Sequence, residues 1–218
     1  MERDWMDDRE YVDLGATTEE GREISMKSRS LIASKVGNRG PEDRIRQRCV
    51  IATGDTGIAE LLRFQERPVE AGLLALEREA PIFVDIRMVE AGITKKGHDS
   101  PVMTFIGSGD ILASKRGITR TSAGVLAREA ELPGSIVVIG NAPSALMTLC
   151  ELVENGMEMP ALVIGVPVGF VNAAESKERL RRLGLPSITT VGTRGGTPIA
   201  VAAMNEIVTI HYERSREG

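Results

Sequence analysis

The sequence SIVVIG at residues 135–140 is the first of three short apolar runs, followed by ALVIGV at 161–166 and SITTVG at 187–192. The runs start 26 residues apart, and each leads through a loop of small residues into a helix-forming segment. A run rich in Val and Ile, without polar alternation and followed by a helix, is typical of a strand buried on both faces of a parallel sheet. The three runs therefore predict a βαβαβ unit whose ligand site lies beyond the carboxyl ends of its strands.

Two further apolar runs lie upstream of this unit and predict two more strands: Pro81–Ile86 (PIFVDI) and Val102–Ile106 (VMTFI). Helix start and stop signals predict three helices before them: residues 17–37, Glu42–Thr53 and Pro68–Glu79. We therefore expect one α/β domain over residues 1–218, a three-layer, doubly wound and mainly parallel sheet of about five strands. In this prediction residues 1–80 are mostly helical and residues 81–210 form the β/α units.

The composition excludes several classes of function. The 218 residues carry a net charge of −4 and only 3% aromatic side chains, which argues against a nucleic-acid-binding protein. The N-terminus (MERDWMDDRE) is acidic and no apolar run approaches the roughly 18 residues of a membrane span, so we expect a cytoplasmic protein that does not bind membranes. Cys49 and Cys150 are too few and too isolated for a disulfide framework or a metal site. We expect both to be reduced core residues, and no metal site.

Three loops follow the repeated strands. In the first (GNAPSAL), Asn141 and Ser144 offer polar groups at the sheet edge, although Asn141 could simply cap a helix. The third (GTRGGTP) pairs two glycines, which allow close approach of a ligand, with Arg194, which can make a forked contact to a carboxylate or phosphate. It is not a dinucleotide-binding fingerprint.

The second loop (GVPVGFVNAAESK) exposes backbone around Gly169 and places Phe170 outside any core run. Phe170 could face a flat apolar ligand or plug the core. Asn172 and Glu175 have the spacing of a capping box, which could explain both residues structurally. Arg120 lies at another helix start (TRTS), where it could meet an anion or be an ordinary surface charge.

Taken together, the segments GNAPSAL, IGVPVGFVNAAESK, GTRGGTPIA, VDIRMVEAGI and GITRTSAG resemble the precorrin-8X (cobalt-precorrin-8) methylmutase family of cobalamin biosynthesis. The resemblance extends from about Tyr11 to Ile207. It implies an α/β fold, a homodimer with sites near the subunit interface, and a polycarboxylate tetrapyrrole as substrate. It also implies an isomerase that needs no cofactor, cobalt being carried by the substrate if present. The implied reaction moves a methyl group from ring carbon 11 to ring carbon 12, giving hydrogenobyrinate or its cobalt form.

Such a reaction needs positioning of the ring and general acid catalysis. The guanidinium groups of Arg120 and Arg194, and the helix N-termini after Asn141, Asn172 and Gly195, would clamp the carboxylate arms. The resemblance implies the following substrate-binding residues: Arg48, Thr119, Arg120, Ser122, Asn141, Ser144, Gly169, Phe170, Glu175, Ser176, Lys177, Arg194, Gly195, Gly196 and Thr197.

The sequence departs from the family pattern at one position. The family helix reads R-M-I/V-H-A-S/T-G, and its histidine is expected to protonate the ring. Here the stretch is RCVIATG, so that Ile51 occupies the histidine position and cannot donate a proton. The catalytic acid is therefore unknown from the sequence, with Asp55 and His98 as candidates.

Three hypotheses follow. The chain is a working methylmutase with another acid, a non-catalytic tetrapyrrole-binding relative that serves as carrier or regulator, or a doubly wound enzyme acting on another anionic ligand such as a nucleotide. The two arginines and the PVGFVNAAESK loop favour the first two hypotheses, because a nucleotide site has no use for that set.

Overall fold

The computed structural model describes residues 13–216, and within them six strands form one sheet in the order β1-β6-β5-β4-β2-β3. Five neighbouring strands are parallel, and β1 alone pairs antiparallel, with β6. The strands are β1 (Leu62–Gln65), β2 (Ile82–Val84), β3 (Val102–Thr104), β4 (Ile136–Ile139), β5 (Leu162–Gly165) and β6 (Ser187–Thr190). The three repeated apolar runs thus contain β4, β5 and β6, side by side as predicted.

Ten α-helices lie within the same residues, together with one 3₁₀ turn at Glu129–Glu131. They are α1 (Glu19–Val36), α2 (Pro41–Thr53), α3 (Ile58–Leu61), α4 (Pro68–Glu77), α5 (Arg87–Gly92), α6 (Asp110–Arg116), α7 (Arg120–Ala127), α8 (Pro143–Glu154), α9 (Ala173–Arg182) and α10 (Thr197–Ser215). The three helices predicted before residue 80 correspond to α1, α2 and α4, and Thr18 caps α1 by accepting a hydrogen bond from the Gly21 N–H.

Helices cover both faces of the sheet, which confirms the three-layer prediction. Neighbouring residues of one strand point to opposite faces: Val138 of β4 packs in a core with α2, α4, α5 and α10, and Val137 packs in a second core with α7, α8 and α9. Because every strand side chain in β4 and β5 is buried, these strands show no polar alternation in the sequence.

The predicted count of about five strands missed β1, which lies inside the segment predicted to be mostly helical. This strand is only four residues long and pairs at the sheet edge, with Leu62 opposite Thr190. Leu62 is buried and Arg63 is exposed, an alternation too short to stand out in the sequence. The strand is recognisable only from its partner, which lies far along the chain.

A buried ion cluster attaches the two N-terminal helices to α10. Glu206 of α10 is fully buried and pairs with Arg29 of α1 at 2.6 Å, with Arg44 of α2 at 2.8 Å and with Arg48 of α2 at 3.1 Å. Burial by itself would raise the pKa of Glu206, but the three guanidinium groups outweigh it and lower the pKa to about 2. The cluster fixes α2 along α10, and α2 carries Ile51.

Burial confirms the sequence prediction for the two cysteines. Cys49 and Cys150 are both free and buried, as predicted, and burial raises the pKa of each thiol to about 12. Within residues 13–216 no helix combines the length and the hydropathy that a bilayer span requires.

Candidate functional site

The loops after β4, β5 and β6 meet at the carboxyl edge of the sheet, as the sequence predicted. The Gly196 N–H donates a 2.8 Å hydrogen bond to the carbonyl of Val166, and the Gly169 N–H donates one of 3.1 Å to the carbonyl of Thr193. A Cβ at Gly140 would lie only 3.0 Å from Cα of Thr197. The first loop therefore touches the start of α10, and the three loops form one continuous surface.

The starts of α7 and α8 bring four hydroxyl groups together. Thr119 caps α7, since its Oγ1 accepts a hydrogen bond of 3.2 Å from the Ser122 N–H. The same oxygen lies 2.8 Å from Oγ of Ser144, 2.9 Å from Oγ of Ser122 and 3.2 Å from Oγ1 of Thr121. We call these four residues the hydroxyl cluster. The sequence predicted three of them and missed Thr121, which lies between two predicted residues and gave no signal of its own.

The backbone donors of the first loop are occupied by the chain itself. Asp85, buried just after β2, accepts hydrogen bonds from the N–H groups of Gly140 at 3.3 Å, Asn141 at 2.7 Å and Ala142 at 2.8 Å. Burial raises the pKa of the Asp85 carboxyl, and the three donors act against that rise. These three N–H groups are therefore not available to a ligand carboxylate, while the side chain of Asn141 remains exposed.

Arg194, in the third loop, forms an ion pair with Asp55, and both side chains are about half exposed. Asp55 also accepts a 2.9 Å hydrogen bond from the Gly57 N–H through its Oδ1. The end of α2 packs against the start of α10, where Sγ of Cys49 lies 3.7 Å from the carbonyl oxygen of Ile199. Ile51 follows at 40% exposure, so an apolar side chain and an ion-paired carboxylate stand at this end of the site.

Arg120 stands on the opposite side of the carboxyl edge, at the start of α7. Its guanidinium makes a forked ion pair with Asp110 of α6, with Nε 3.0 Å from Oδ1 and Nη2 2.9 Å from Oδ2. Both side chains are about half exposed. Since exposed ion pairs contribute little free energy, a ligand carboxylate can replace Asp110 on Arg120.

The second loop presents apolar side chains to solvent. Phe170 is 94% exposed and Val171 is 76% exposed, so Phe170 does not plug the core. The capping box predicted from Asn172 and Glu175 is not formed: Asn172 adopts a left-handed conformation with φ of 60° and its side chain makes no capping hydrogen bond. Glu175 is exposed on the first turn of α9.

The next two residues predicted to contact substrate are fully buried instead. Oγ of Ser176 donates a 3.0 Å hydrogen bond to the carbonyl of Ala173 within α9. Nζ of Lys177 lies 3.0 Å from Oγ1 of Thr190 and 2.8 Å from the carbonyl oxygen of Arg194. Lys177 therefore contacts the candidate site only through the backbone of the third loop, on the side that faces the protein interior.

Two predicted residues are directed away from the carboxyl edge. The guanidinium of Arg48 is occupied by α10, where Nη1 also lies 3.1 Å from Oγ1 of Thr209. His98 precedes β3 at the opposite edge of the sheet, with Nε2 2.8 Å from the carbonyl of Thr94, beside a cavity of about 510 Å³ that it lines with His211. Both histidines of the chain thus lie near the C-terminal end of α10, whereas the three loops lie at its N-terminal end.

Large exposed apolar side chains line the same carboxyl edge, six in the part of the chain that the structure describes: Ile51, Met88, Ile111, Val168, Phe170 and Val171. We call them the apolar rim. Each follows a parallel strand closely or lies near the end of α2. Across residues 13–216, no group of three or more His, Cys, Asp or Glu side chains is arranged to hold a metal ion.

A comparison with known protein families shows to which family the chain belongs. The family profile described as precorrin-8X methylmutase matches residues 23–210. The chain belongs to the precorrin-8X methylmutase family. This membership confirms the resemblance carried by the loop motifs, and nothing among the relatives favours a nucleotide-binding enzyme over a methylmutase.

Members of the methylmutase family align with almost the whole chain. A cobalt-precorrin-8 methylmutase of Methanocaldococcus jannaschii is 42% identical over 206 residues, covering 89% of this chain and 96% of the relative. A precorrin-8X methylmutase of Pseudomonas aeruginosa is 37% identical over 199 residues, covering 87% and 96%. The crystal structure of a precorrin-8X methylmutase from Thermus thermophilus superposes with a TM-score of 0.81 at 33% identity, covering 88% of this chain and 97% of that one. The family is therefore one of isomerases.

Proposed function

We propose that this protein is a cytoplasmic isomerase of cobalamin biosynthesis that acts on precorrin-8X or cobalt-precorrin-8. The observation that carries the proposal is the 42% identity to a cobalt-precorrin-8 methylmutase over nearly the full length of both chains. The geometry supports it, because Arg120 and Arg194 offer two exposed guanidinium groups on opposite sides of one edge. Carboxylate arms of a tetrapyrrole suit such forked donors.

The proposed reaction is internal to the substrate. The bond between the methyl group and ring carbon 11 breaks while a bond to carbon 12 forms, and no group leaves the molecule. The protein holds the carboxylate arms through the arginines and the hydroxyl cluster. A general acid donates a proton to the ring as the methyl group moves and recovers one from the rearranged ring, so the composition of the molecule is unchanged. Of the two candidate acids, Asp55 is the one at the carboxyl edge, where it is bound to Arg194. A substrate carboxylate that pairs with Arg194 would leave Asp55 facing the ligand.

The assay follows absorbance and mass after purified protein is mixed with precorrin-8X or its cobalt form. We expect conversion to hydrogenobyrinate or its cobalt form with no change in mass, because the reaction is an isomerisation. Binding without conversion would support a carrier instead. If neither corrinoid changes the spectrum, both tetrapyrrole functions are contradicted.

A non-catalytic tetrapyrrole-binding protein is the second candidate, and Ile51 is the observation that favours it. General acid catalysis contributes about 10²–10⁴-fold, so its loss leaves either a slow enzyme or none. Ile51→His restores an acid at the partly exposed end of α2. We expect it to raise turnover of precorrin-8X at least about tenfold. The matched control is Ile51→Asn, which is polar but cannot donate a proton as an acid, and its turnover should stay at the wild-type level.

We further propose that the working unit is a homodimer with its two sites near the interface. The apolar rim supports this, since several large apolar side chains exposed along one edge favour an interaction site. Sedimentation velocity tests it: the wild type should sediment as a dimer, and Phe170→Ser should shift it toward the monomer. A monomeric wild type across the micromolar range would contradict the proposal.

A further inference from the structure

Lys177 is the most deeply buried cation that approaches the site. Its side chain is fully enclosed between α9 and the end of β6, although Lys is almost never fully buried without a partner. In the part of the chain that the structure describes, no carboxylate lies within ion-pair distance of its Nζ. The charge that acts on Lys177 is another cation, Arg181, which itself pairs with Glu178. Burial lowers the pKa of Lys177 to about 8.

What Lys177 binds instead is the backbone of the third loop. The carbonyl oxygen of Arg194 accepts a 2.8 Å hydrogen bond from Nζ of Lys177 and a 2.6 Å hydrogen bond from Oγ1 of Thr190. Oγ1 of Thr190 in turn accepts from the same Nζ at 3.0 Å. One helix residue and one strand residue therefore fix a single carbonyl group in a triangle of hydrogen bonds.

The side chain attached to this backbone points into the proposed site. Arg194 extends toward Asp55, and on its other side the loop is bound to the second loop by the Gly196 N–H and the Val166 carbonyl, 2.8 Å apart. A rotation of the Arg194 peptide would break the triangle and move the guanidinium away from the carboxyl edge. Burying an ammonium group without a counter-ion is unfavourable for folding. A role in the site explains why an uncharged residue does not occupy this position.

We propose that Lys177 is a positioning residue that acts with Thr190 to hold Arg194 in the orientation that binds a substrate carboxylate. This inference rests on the proposed function, which it deepens by giving Lys177 an indirect role in place of substrate contact. Its buried positive charge adds to the attraction of the carboxyl edge for a polycarboxylate.

A double-mutant cycle tests the proposal by absorbance titration with hydrogenobyrinate. Lys177→Met removes the charge and the donors while keeping the length of the side chain, and we expect it to weaken binding about tenfold. Combined with Arg194→Ala, it should add less than about twofold to the effect of Arg194→Ala alone, because residues that act through one another are not additive. Equal effects in both backgrounds, or unchanged affinity of Lys177→Met, would overturn the proposal.

Further variants separate a specific loss of affinity from a failure of Lys177→Met to fold. Thr190→Val removes one donor to the Arg194 carbonyl and leaves Lys177 in place, and it should weaken binding in the same direction. Thr190→Ser keeps the hydroxyl and should bind as the wild type does. The matched control is Lys27→Met, on the exposed surface of α1, which should leave the affinity unchanged.

A second measurement needs no ligand and separates this proposal from the proposed function. Hydrogen exchange of the Gly196 amide should accelerate at least about tenfold in Lys177→Met and in Thr190→Val, but not in Lys27→Met. If the wild type does not bind hydrogenobyrinate while this acceleration is seen, the methylmutase function fails and the positioning role stands. If exchange at Gly196 is unchanged, the positioning role fails whatever the protein binds.

Discussion

The carboxylate of Asp85 accepts a 2.7 Å hydrogen bond from the backbone N–H of Asn141, at the turn into α8. Neighbouring N–H groups of Gly140 and Ala142 bind the same carboxylate. In a nucleotide-binding fold, such a turn would hold a phosphate of the ligand. Here an internal carboxylate fills that position, so these N–H groups are not available to a ligand. In the proposed function the arginines and the hydroxyl cluster hold the ligand instead.

Asp85→Asn should therefore destabilise the protein. The amide offers one acceptor oxygen, and its NH₂ group would face the N–H donors of residues 140–142. We expect a loss of about 1–3 kcal/mol in the free energy of unfolding, measured by urea denaturation. The exposed Asp99→Asn is the control and should change it by less than about 0.5 kcal/mol. Equal stability of both variants would show that the carboxylate is not needed by the turn.

Glu206→Gln should destabilise the protein more strongly, because it removes the buried negative charge that Arg29, Arg44 and Arg48 share. Removing one partner of a buried ion pair costs about 3–5 kcal/mol. Glu19→Gln, which breaks an exposed pair with Arg22, is the matched control and should have little effect. A loss as small as that of the control would mean that the cluster does not hold α1 and α2 on α10.

The same cluster predicts a pH dependence. The pKa of Glu206 falls from its ordinary value of 4.5 to about 2 in the folded protein. A depressed carboxyl pKa contributes stability that is fully present above about pH 4.5 and is lost as the pH falls toward 2. The free energy of unfolding of Glu206→Gln should therefore vary less than that of the wild type over this range. Parallel pH profiles of the two proteins would contradict the assignment of the shift to Glu206.

Local patterns in the sequence were enough to predict the centre of the sheet and the meeting of its loops. The continuous apolar runs contain β4, β5 and β6, because strands buried on both faces leave that signal without knowledge of their partners. Parallel strands with helical crossovers then bring their carboxyl ends to one edge. The position of Arg194 at this edge followed from the pattern alone.

The pairings between distant residues could not be predicted in the same way. Arg48 and Glu206 are 158 positions apart, and Asp85 and Asn141 are 56 apart, so no local spacing relates them. The capping box failed for a local reason: a capping residue needs an extended backbone, and Asn172 is left-handed after the exposed turn at Phe170. The sequence pattern therefore predicted where the loops of the candidate site meet, and packing decided which of their polar groups remain unoccupied by the chain itself.

Arg120→Ala should weaken binding of hydrogenobyrinate without affecting folding. The Arg120 guanidinium is half exposed and its pair with Asp110 contributes little stability, so the melting temperature should not change. Loss of a charge-assisted contact should raise the dissociation constant at least about tenfold in an absorbance titration. Arg116→Ala, an exposed neighbour on α6, is the control for general charge. If Arg120→Ala and Arg116→Ala bind alike, Arg120 lies outside the site.

Gly195→Ala should disturb the site through its backbone. A Cβ at this position would lie 2.2 Å from the carbonyl oxygen of Val166 and 2.8 Å from that of Pro167, both main-chain atoms of the second loop. The hydrogen bond between the Gly196 N–H and the Val166 carbonyl, 2.8 Å long, holds the two loops at this distance. The methyl group can therefore be accommodated only if the loops separate and the hydrogen bond breaks.

We expect Gly195→Ala to lower the free energy of unfolding by about 1–3 kcal/mol, as overpacking does, and to weaken binding of hydrogenobyrinate. Gly21→Ala is the matched control, because it adds the same methyl group in the first turn of α1, where its closest contact is the Oγ1 of Thr18 at 3.1 Å. That variant should bind as the wild type does and be no less stable, since Ala favours a helix over Gly. Normal binding by Gly195→Ala would show that the second and third loops need not touch for the site to form, and the site would then depend on the arginines alone.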